Sequence, residues 1–311
     1  MESMIELKNV SKHYKAIKAV DDVSFSVECG EVLGFLGPNG AGKTTVMKMI
    51  TGYMPPDNGE IHVKGRRVSS NMLEVRRLLG YLPETNPIYL DMTVWEYMDF
   101  IAEMRDLKNK SEQIEKTLEK CGIKDVKHRI IGDLSKGYKQ RAGLAQAILH
   151  DPEILILDEP MEGLDPRQIT EIRSLIKTIG REKTVIFCSH ILSEVEAVAD
   201  RVIIINKGKI IADDDIKGLK QRSAAQNIVK MEFFKAVAED QASEKISALP
   251  TVTTVEKEDE KNYRIVSSEN VKIGNELYNL ARNENWEISQ IYVESSSLEN
   301  MFLDITQGGG L

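Results

Sequence analysis

The sequence contains few cysteines and no long apolar run, and both shortages limit what the chain can be. Its 311 residues include three cysteines, Cys29, Cys121 and Cys188. Their odd number and wide spacing argue against a disulfide framework and against a CxxC metal site, so we expect reduced thiols in buried positions. The longest apolar runs, residues 154–157 and 202–205, are far shorter than the roughly 20 residues of a membrane-spanning helix. Any membrane-spanning part is therefore expected to come from another chain.

Positive charge is also scarce, because the formal net charge is −8. A chain with a net negative charge has no overall basic field that would attract a nucleic-acid backbone, and we expect no nucleic-acid partner. The first residues run directly into a strand-like pattern, without the basic stretch and apolar segment of a secretory signal. This start predicts a cytoplasmic location.

Hydrophobic residues make up 41% and charged residues 29% of the chain, which is typical of a globular protein. The length favours one large and one smaller domain. Acidic residues outnumber basic ones, and apolar runs weaken, from about residue 220. We therefore predict a first domain over residues 1–219 and a C-terminal domain over residues 220–311.

The first domain alternates strand-like and helix-like patterns, which predicts an α/β fold with a parallel sheet and right-handed crossovers. Its N-terminal part is β-rich, and a mostly helical insertion spans residues 85–150. Thr93 is placed to cap the first helix of that insertion. The predicted strands are 4–7, 23–27, 32–36, 153–157 and 184–188, and the predicted helices are 43–50, 94–105, 111–121 and 166–179.

The C-terminal domain follows the order strand, helix, strand, strand, helix, strand. This order predicts a small α+β domain of the split βαβ, ferredoxin-like kind. The predicted segments are 227–234, 239–248, 251–257, 262–267, 270–284 and 286–293.

A glycine-rich motif, GxxxxGK[ST], lies between a predicted strand and a predicted helix. In such a motif, backbone N–H groups cradle phosphate oxygens at a helix N-terminus. Lys43 would meet the β- and γ-phosphates of ATP, and Thr44 would offer its hydroxyl to Mg²⁺. The expected ATP-binding residues of the motif are Gly37, Pro38, Asn39, Gly40, Ala41, Gly42, Lys43, Thr44 and Thr45.

Two further strands end in polar residues suited to hydrolysis. Asp158 and Glu159 follow an apolar strand, so Asp158 would hold Mg²⁺ and Glu159 would polarise the attacking water. His190 ends the next apolar strand, from which an imidazole can reach the γ-phosphate. Glu159 and His190 are therefore the predicted catalytic residues.

The stretch Leu134-Ser135-Lys136-Gly137-Tyr138-Lys139-Gln140-Arg141, followed by Asp158-Glu159-Pro160 and Gly163-Leu164-Asp165-Pro166, resembles the signature and D-loop of ABC ATPases. The resemblance covers residues 4–215 and implies their P-loop NTPase core. It implies that Ser135, Lys136, Gly137 and Tyr138 contact a partner's nucleotide, that Asp165 belongs to the D-loop, and that His190 is the switch histidine. Tyr14 matches the aromatic residue that stacks on adenine.

The resemblance also implies partners, because each composite site in this family needs two chains. We expect a head-to-tail homodimer, or a pair with another ABC ATPase subunit, and an integral membrane permease. The signature variant and residues 297–303 look most like export ATPases paired with ABC-2 permeases, including the gliding-motility group. The chain would then be peripheral on the inner face of the cell membrane.

An apolar loop formed by Ile88, Tyr89, Leu90 and Met92 follows Glu84. Such a loop either receives a cytoplasmic helix of the permease or packs under the helical insertion. Both alternatives fit the sequence.

Three residues depart from the family pattern. Lys136 replaces a usual glycine, Tyr138 replaces a usual glutamine, and Glu84 stands where a glutamine is expected. A Glu84 carboxylate either approaches Mg²⁺ while adding negative charge, or contacts only permease or solvent. The Lys136 amine either lies near the partner's nucleotide or points to solvent.

The alternative to a transporter subunit is a soluble ABC ATPase that acts as a regulator or assembly factor without a permease. Intact Glu159 and His190 weigh against incidental hydrolysis. The C-terminal domain carries no catalytic pattern, so we expect an accessory role for it.

Overall fold

The structure, a computed structural model, describes residues 3–216, 218, 227–235, 239–267 and 270–294. The chain divides into two compact units, Met1–Ile216 and Lys217–Leu311, beside the predicted boundary between residues 219 and 220. The family-like stretch 297–303 lies outside the described residues. Within those residues, no helix is long and apolar enough to cross a membrane.

The first unit begins with an antiparallel sheet of order β2-β1-β4-β5. Its strands, numbered along the whole chain, are β1 Ser3–Tyr14, β2 Ile17–Glu28, β4 Asn58–Val63 and β5 Arg66–Arg67. The short strands predicted at 4–7 and 23–27 are wrong in length, because β1 and β2 are 12 residues each. Register shifts between Leu7 and Val10, with Asn9 at φ 49°, break the apolar alternation that sequence reasoning follows.

A six-stranded central sheet has the order β10-β9-β3-β8-β7-β6. The strands from β9 to β6 pair in parallel, as predicted, and β10 pairs with β9 in the antiparallel direction. Every residue of β3, β7 and β8 is buried, which explains their continuous apolar sequences. Their bounds are β3 Val32–Leu36, β6 Leu79–Leu82, β7 Ile154–Asp158, β8 Thr184–Ser189, β9 Arg201–Asn206 and β10 Lys209–Asp215.

The α-helices of the first unit are α1 Lys43–Ile50, α2 Met72–Leu78, α3 Val94–Met104, α4 Lys110–Lys120, α5 Lys136–Ile148, α6 Pro166–Gly180 and α7 Leu192–Val198. The cap predicted for α3 is confirmed. The Thr93 side chain accepts from the Glu96 N–H, and the Glu96 carboxylate accepts from the Thr93 N–H, which forms a capping box. Helices α3, α4 and α5 form the predicted insertion between β6 and β7.

The second unit has the predicted ferredoxin-like order. Its elements are β11 Asn227–Phe233, α8 Glu239–Ser247, β12 Val252–Lys257, β13 Asn262–Ser267, α9 Asn270–Asn283 and β14 Ile288–Glu294. The sheet order β12-β13-β11-β14 is antiparallel throughout. Phe233 packs edge-on against Tyr263 and Trp286 in its core. Trp286, predicted as strand, precedes β14, because its N–H donates to the Ala281 carbonyl at 2.8 Å in the turn that ends α9.

The three cysteines are free thiols. Cys121 and Cys188 are buried as predicted, but the prediction is wrong for Cys29, which is exposed. Cys29 lies in the turn between β2 and β3, where the backbone reverses direction at the surface.

Candidate active site

The carboxyl ends of four parallel strands carry the predicted site residues. Gly37 follows β3, Glu84 lies two residues after β6, Glu159 follows β7 and His190 follows β8. Parallel strands deliver their carboxyl ends to one edge of a sheet, where ligands of open α/β folds bind. The sheet order therefore brings together residues that are far apart in sequence.

The glycine-rich loop joins β3 to α1, and two of its glycines are required by close backbone contacts. A Cβ added at Gly37 would collide with the Ile205 carbonyl, and one at Gly42, where φ is +111°, would collide with the Ala19 carbonyl. The loop borders a cavity of about 360 Å³. Ala19, Glu84, Glu159, Glu162 and His190 line it together with the predicted residues Asn39, Gly40, Ala41, Gly42, Lys43, Thr44 and Thr45.

Lys43 is buried at the start of α1, and all its polar contacts lie within this site. Its Nζ donates to the carbonyl oxygens of Gly37 at 2.7 Å and Pro38 at 3.3 Å. The same ammonium lies 3.2 Å from Oε1 of Glu159. The other carboxylate oxygen, Oε2, is 3.0 Å from Nδ1 of His190. Lys43, Glu159 and His190 therefore form one connected polar chain.

Asp158 and Glu84 share one hydroxyl group at a second corner of the site. Thr44 Oγ1 lies 3.3 Å from Oδ1 of Asp158 and 3.4 Å from Oε2 of Glu84. Asp158 is fully buried, and its Oδ2 has no hydrogen-bond partner. Burial raises the pKa of Asp158 to about 6, and the charges of Glu84 and Glu159 act in the same direction. The Thr44 hydroxyl has one proton and can donate to only one of the two carboxylates at a time. This corner of the site therefore has an excess of negative charge.

This donor set fits Mg²⁺, which proteins hold through one or two carboxylates, with water and phosphate completing its shell. The described residues contain no cluster of three or more His, Cys, Asp or Glu arranged to hold a metal. A nucleotide-dependent Mg²⁺ site does not need one. Glu84 thus lies at the Thr44 hydroxyl and does not face only solvent.

A buried hydrogen-bonded pair next to His190, formed by Ser189 and Glu194, was not predicted from the sequence. Ser189 Oγ donates to Glu194 Oε2 at 2.6 Å and accepts from the Ile191 N–H at 2.9 Å. These bonds hold the turn that carries His190. The signal in the sequence is weak, because Glu194 lies in the first turn of a helix that also contains the polar residues Ser193 and Glu196.

Tyr14 lies at the end of β1 and is 44% exposed. Its hydroxyl donates to Sδ of Met54 at 3.0 Å. It is not among the residues that line the 360 Å³ cavity, so its contact with adenine stays a prediction.

The signature residues surround the N-terminus of α5. The Ser135 Oγ caps this helix by accepting from the Tyr138 N–H, and the Tyr138 hydroxyl donates to Asp125 at 3.3 Å. Asp165 caps α6 by accepting from the Gln168 N–H at 2.9 Å. Between the two helices lies a groove lined by Ser135, Gly137, Tyr138, Arg141, Asp165, Arg167, Gln168 and Glu171. It shares no lining residue with the cavity at Lys43.

The raised pKa of Asp158 predicts a pH-dependent stability. An acid whose pKa is raised from 3.8 to about 6 stabilises the fold below pH 4 through its bound proton, and this contribution is lost as pH rises through 6. Asp158→Asn mimics the protonated acid. Without nucleotide and with EDTA, we expect the variant to be more stable than wild type at pH 7, by at most about 3 kcal/mol.

Urea unfolding of the first unit at pH 4.5 and pH 7.5 measures this difference, which should shrink at the lower pH. Asp133→Asn, which neutralises an exposed carboxylate, is the control. An Asp158→Asn difference that does not depend on pH would contradict the assignment.

Comparison with known proteins agrees with this geometry. The ABC transporter family model matches residues 20–162. The uncharacterized ABC transporter ATP-binding protein YhcH of Bacillus subtilis (strain 168) is 36% identical over 308 residues, covering 98% of this chain and 97% of YhcH. The bacitracin transport ATP-binding protein BcrA of Bacillus licheniformis is 38% identical over 225 residues, covering 72% of this chain and 73% of BcrA.

A solved structure of the ATP binding subunit of an ABC transporter superimposes with a TM-score of 0.64 at 29% identity, covering 70% of this chain and 92% of that one. The glycine-rich loop, the carboxylates of Asp158 and Glu159 at the end of β7, and the match to YhcH along nearly its whole length all indicate the same family. The chain belongs to the ABC transporter ATP-binding proteins, whose members hydrolyse ATP to drive transport.

Proposed function

We propose that two copies of this chain bind two Mg·ATP head to tail, and that hydrolysis drives a separate integral membrane permease of the ABC-2 export type. The observation that carries the proposal is the separation of the two half-sites. Lys43 and Ser135 line different cavities of one chain, with no lining residue in common. A second chain that presents Ser135 and Gly137 to the nucleotide at Lys43 would complete the site.

The contacts of Lys43 suit the binding of phosphate. The Lys43 ammonium is held by two carbonyl oxygens and one carboxylate, and a γ-phosphate would replace Glu159 as its anionic partner. Glu159 keeps its contact with Nδ1 of His190. The freed carboxylate oxygen can then accept a proton from a water aligned with the γ-phosphorus.

Thr44, Asp158 and Glu84 would hold Mg²⁺, which neutralises charge on the β- and γ-phosphates when bound. The protein's own contribution is to keep the unpartnered Asp158 Oδ2 and the shared Thr44 hydroxyl at one corner of the cavity.

The surface beside this site suits a permease. Tyr89 and Leu90 are 49% and 54% exposed, although the Tyr89 ring also packs against Tyr97 and Phe100 of α3. A neighbouring cleft of about 600 Å³ includes Arg76 and Arg105. Neither arginine has a carboxylate partner among the described residues. An apolar loop beside unpaired cations fits a permease helix that carries an acidic side chain.

The ABC-2 and export assignments rest on the signature variant and on the likeness to BcrA, a bacitracin transport protein. Attachment to the permease would place the chain on the inner face of the membrane. The cargo would be chosen by the permease. Residues 220–311 would form an accessory domain that supports assembly.

Glu159→Gln tests the proposed base. The amide cannot accept the proton of water, so we expect turnover to fall roughly 10²- to 10⁴-fold. ATP binding should persist and trap a dimer. ATPase assays, together with light scattering in the presence of ATP, measure both effects.

Glu162→Gln is the matched control, because Glu162 lines the same cavity but has no contact with Lys43 or His190. Lys43→Ala gives the baseline without ATP binding. Turnover like that of wild type in Glu159→Gln would remove Glu159 from the role of base.

Glu84→Gln tests the cation site without relying on activity. Removing a carboxylate beside the Thr44 hydroxyl should weaken Mn²⁺ binding to the nucleotide-free protein roughly tenfold, which corresponds to ~1.4 kcal/mol. Electron paramagnetic resonance of free Mn²⁺ measures the affinity. Asp91→Asn, at another exposed carboxylate after β6, is the control. Equal affinities in wild type and Glu84→Gln would favour a contact of Glu84 with permease alone.

Leu90→Asp tests the permease contact. We expect the immobilised wild-type chain to capture an integral membrane permease from detergent-solubilised membranes of its host, and Leu90→Asp to lose it, because a charge would enter an apolar interface. Leu73→Asp makes the same change at a leucine that is 78% exposed on α2 and should retain capture. Failure of the wild type to capture any permease would favour a regulator without one.

A further inference from the structure

Lys136 makes a contact that its position in the sequence does not predict. It is the first residue of α5 and is exposed, yet the end of its side chain lies across Gly163. A Cβ added at Gly163 would overlap Nζ and lie 3.2 Å from Cε and 3.7 Å from Cδ. Among the described residues, the ammonium has neither a hydrogen-bond acceptor nor an ion-pair partner. The contact is therefore one of packing.

The turn over residues 159–165 is closed by few hydrogen bonds of its own and is anchored by the buried side chains of Met161 and Leu164. Glu159 and Gly163 both have left-handed backbone conformations, with φ of 49° and 66°, and this conformation is costly for the non-glycine residue. Two long backbone hydrogen bonds close the turn, from the Glu162 N–H to the Glu159 carbonyl at 3.2 Å and from the Leu164 N–H to the Met161 carbonyl at 3.3 Å. Contacts from outside the turn therefore matter for its geometry.

Other contacts join α5 and α6 farther along the chain. The Gln168 amide carbon would lie 2.6 Å from a Cβ on Gly137, and Arg141 forms an ion pair with Glu171. These contacts lie beyond Asp165, on the helix itself. The Lys136 side chain instead reaches the turn that begins with Glu159.

We propose that Lys136 is a positioning residue that braces the turn 159–165 and so holds the Glu159 carboxylate between Lys43 and His190. The inference rests on the proposed role of Glu159. Because Lys136 lies between Ser135 and Gly137, movement of the signature segment on the partner's nucleotide reaches the chain's own Glu159 through this brace. The aliphatic part of the Lys136 side chain is sufficient to brace the turn, and the ammonium charge is not required.

Hydrogen exchange of the full chain without nucleotide tests the brace directly. In Lys136→Ala, the amides of residues 161–164 should exchange several-fold faster than in wild type. Lys136→Met keeps the side chain as far as the position of Cε, which lies over Gly163 in wild type, and removes the charge; exchange should stay within about twofold of wild type. Lys116→Ala, at a lysine of α4 whose side chain is 74% exposed, is the control and should not change the turn.

Steady-state ATP hydrolysis provides a second test of the brace. Lys136→Ala should lower kcat several-fold and leave KM for ATP within about twofold, because the glycine-rich loop is untouched. Lys136→Met should give a higher kcat than Lys136→Ala. Equal melting temperatures would exclude a general loss of structure.

Gly163→Ala supplies a second variant. Its methyl group would displace the Lys136 amine, and alanine is also strained at a φ of 66°, so only the coupling between the two substitutions tests the contact. Combining Gly163→Ala with Lys136→Ala should accelerate exchange in the turn by less than the product of the two single effects.

Unchanged exchange and kcat in Lys136→Ala would overturn the inference. So would a Lys136→Met variant that behaves like Lys136→Ala, because the charge would then be the active feature. A wild-type chain that fails to bind or hydrolyse ATP would instead contradict the proposed function, and the exchange comparison would still decide on the brace.

Discussion

The ion pair between Lys43 and Glu159 controls the charge balance of the whole site. Both side chains are nearly buried, at 6% and 8% exposure, and a buried charge is strongly unfavourable without a partner. In the absence of nucleotide, each charge has the other as its partner. Under the proposed function, a phosphate bound at Lys43 would replace the carboxylate as its anionic partner, and the same event would free the carboxylate for chemistry.

The remaining carboxylates of the site show why this balance matters. Glu84 and Asp158 meet at the hydroxyl of Thr44, while the nearest ammonium, that of Lys43, pairs with Glu159. The sheet places all these groups at one edge, because β6 and β7 are adjacent parallel strands with β8 as their neighbour. Negative charge accumulates there until a cation arrives. In this chain a carboxylate in place of the family's usual glutamine increases that demand.

The features that could be predicted from sequence depend on signals close together in the chain. The glycine spacing before Lys43 and the cap at Thr93 each lie in a short stretch, and the element order of the C-terminal unit follows from six local patterns. The structure agrees with all three. The features that could not be predicted depend on distant contacts or on irregular backbone. Register shifts interrupt the pairing of β1 with β2, so the full length of these strands could not be predicted from their apolar alternation. The contact of Lys136 with Gly163 joins residues on different elements, and no local pattern marks it.

The exposure of Cys29 has a practical meaning for the native protein. Burial raises the pKa of the Cys121 thiol to about 12 and that of Cys188 well above its usual range. Thiolate chemistry in the folded chain is thus directed to the turn after β2. A maleimide dye would label this one position, near the first sheet and on a different element from every residue of the nucleotide site. The two buried thiols would become reactive as the first unit opens, so counting them would report its unfolding.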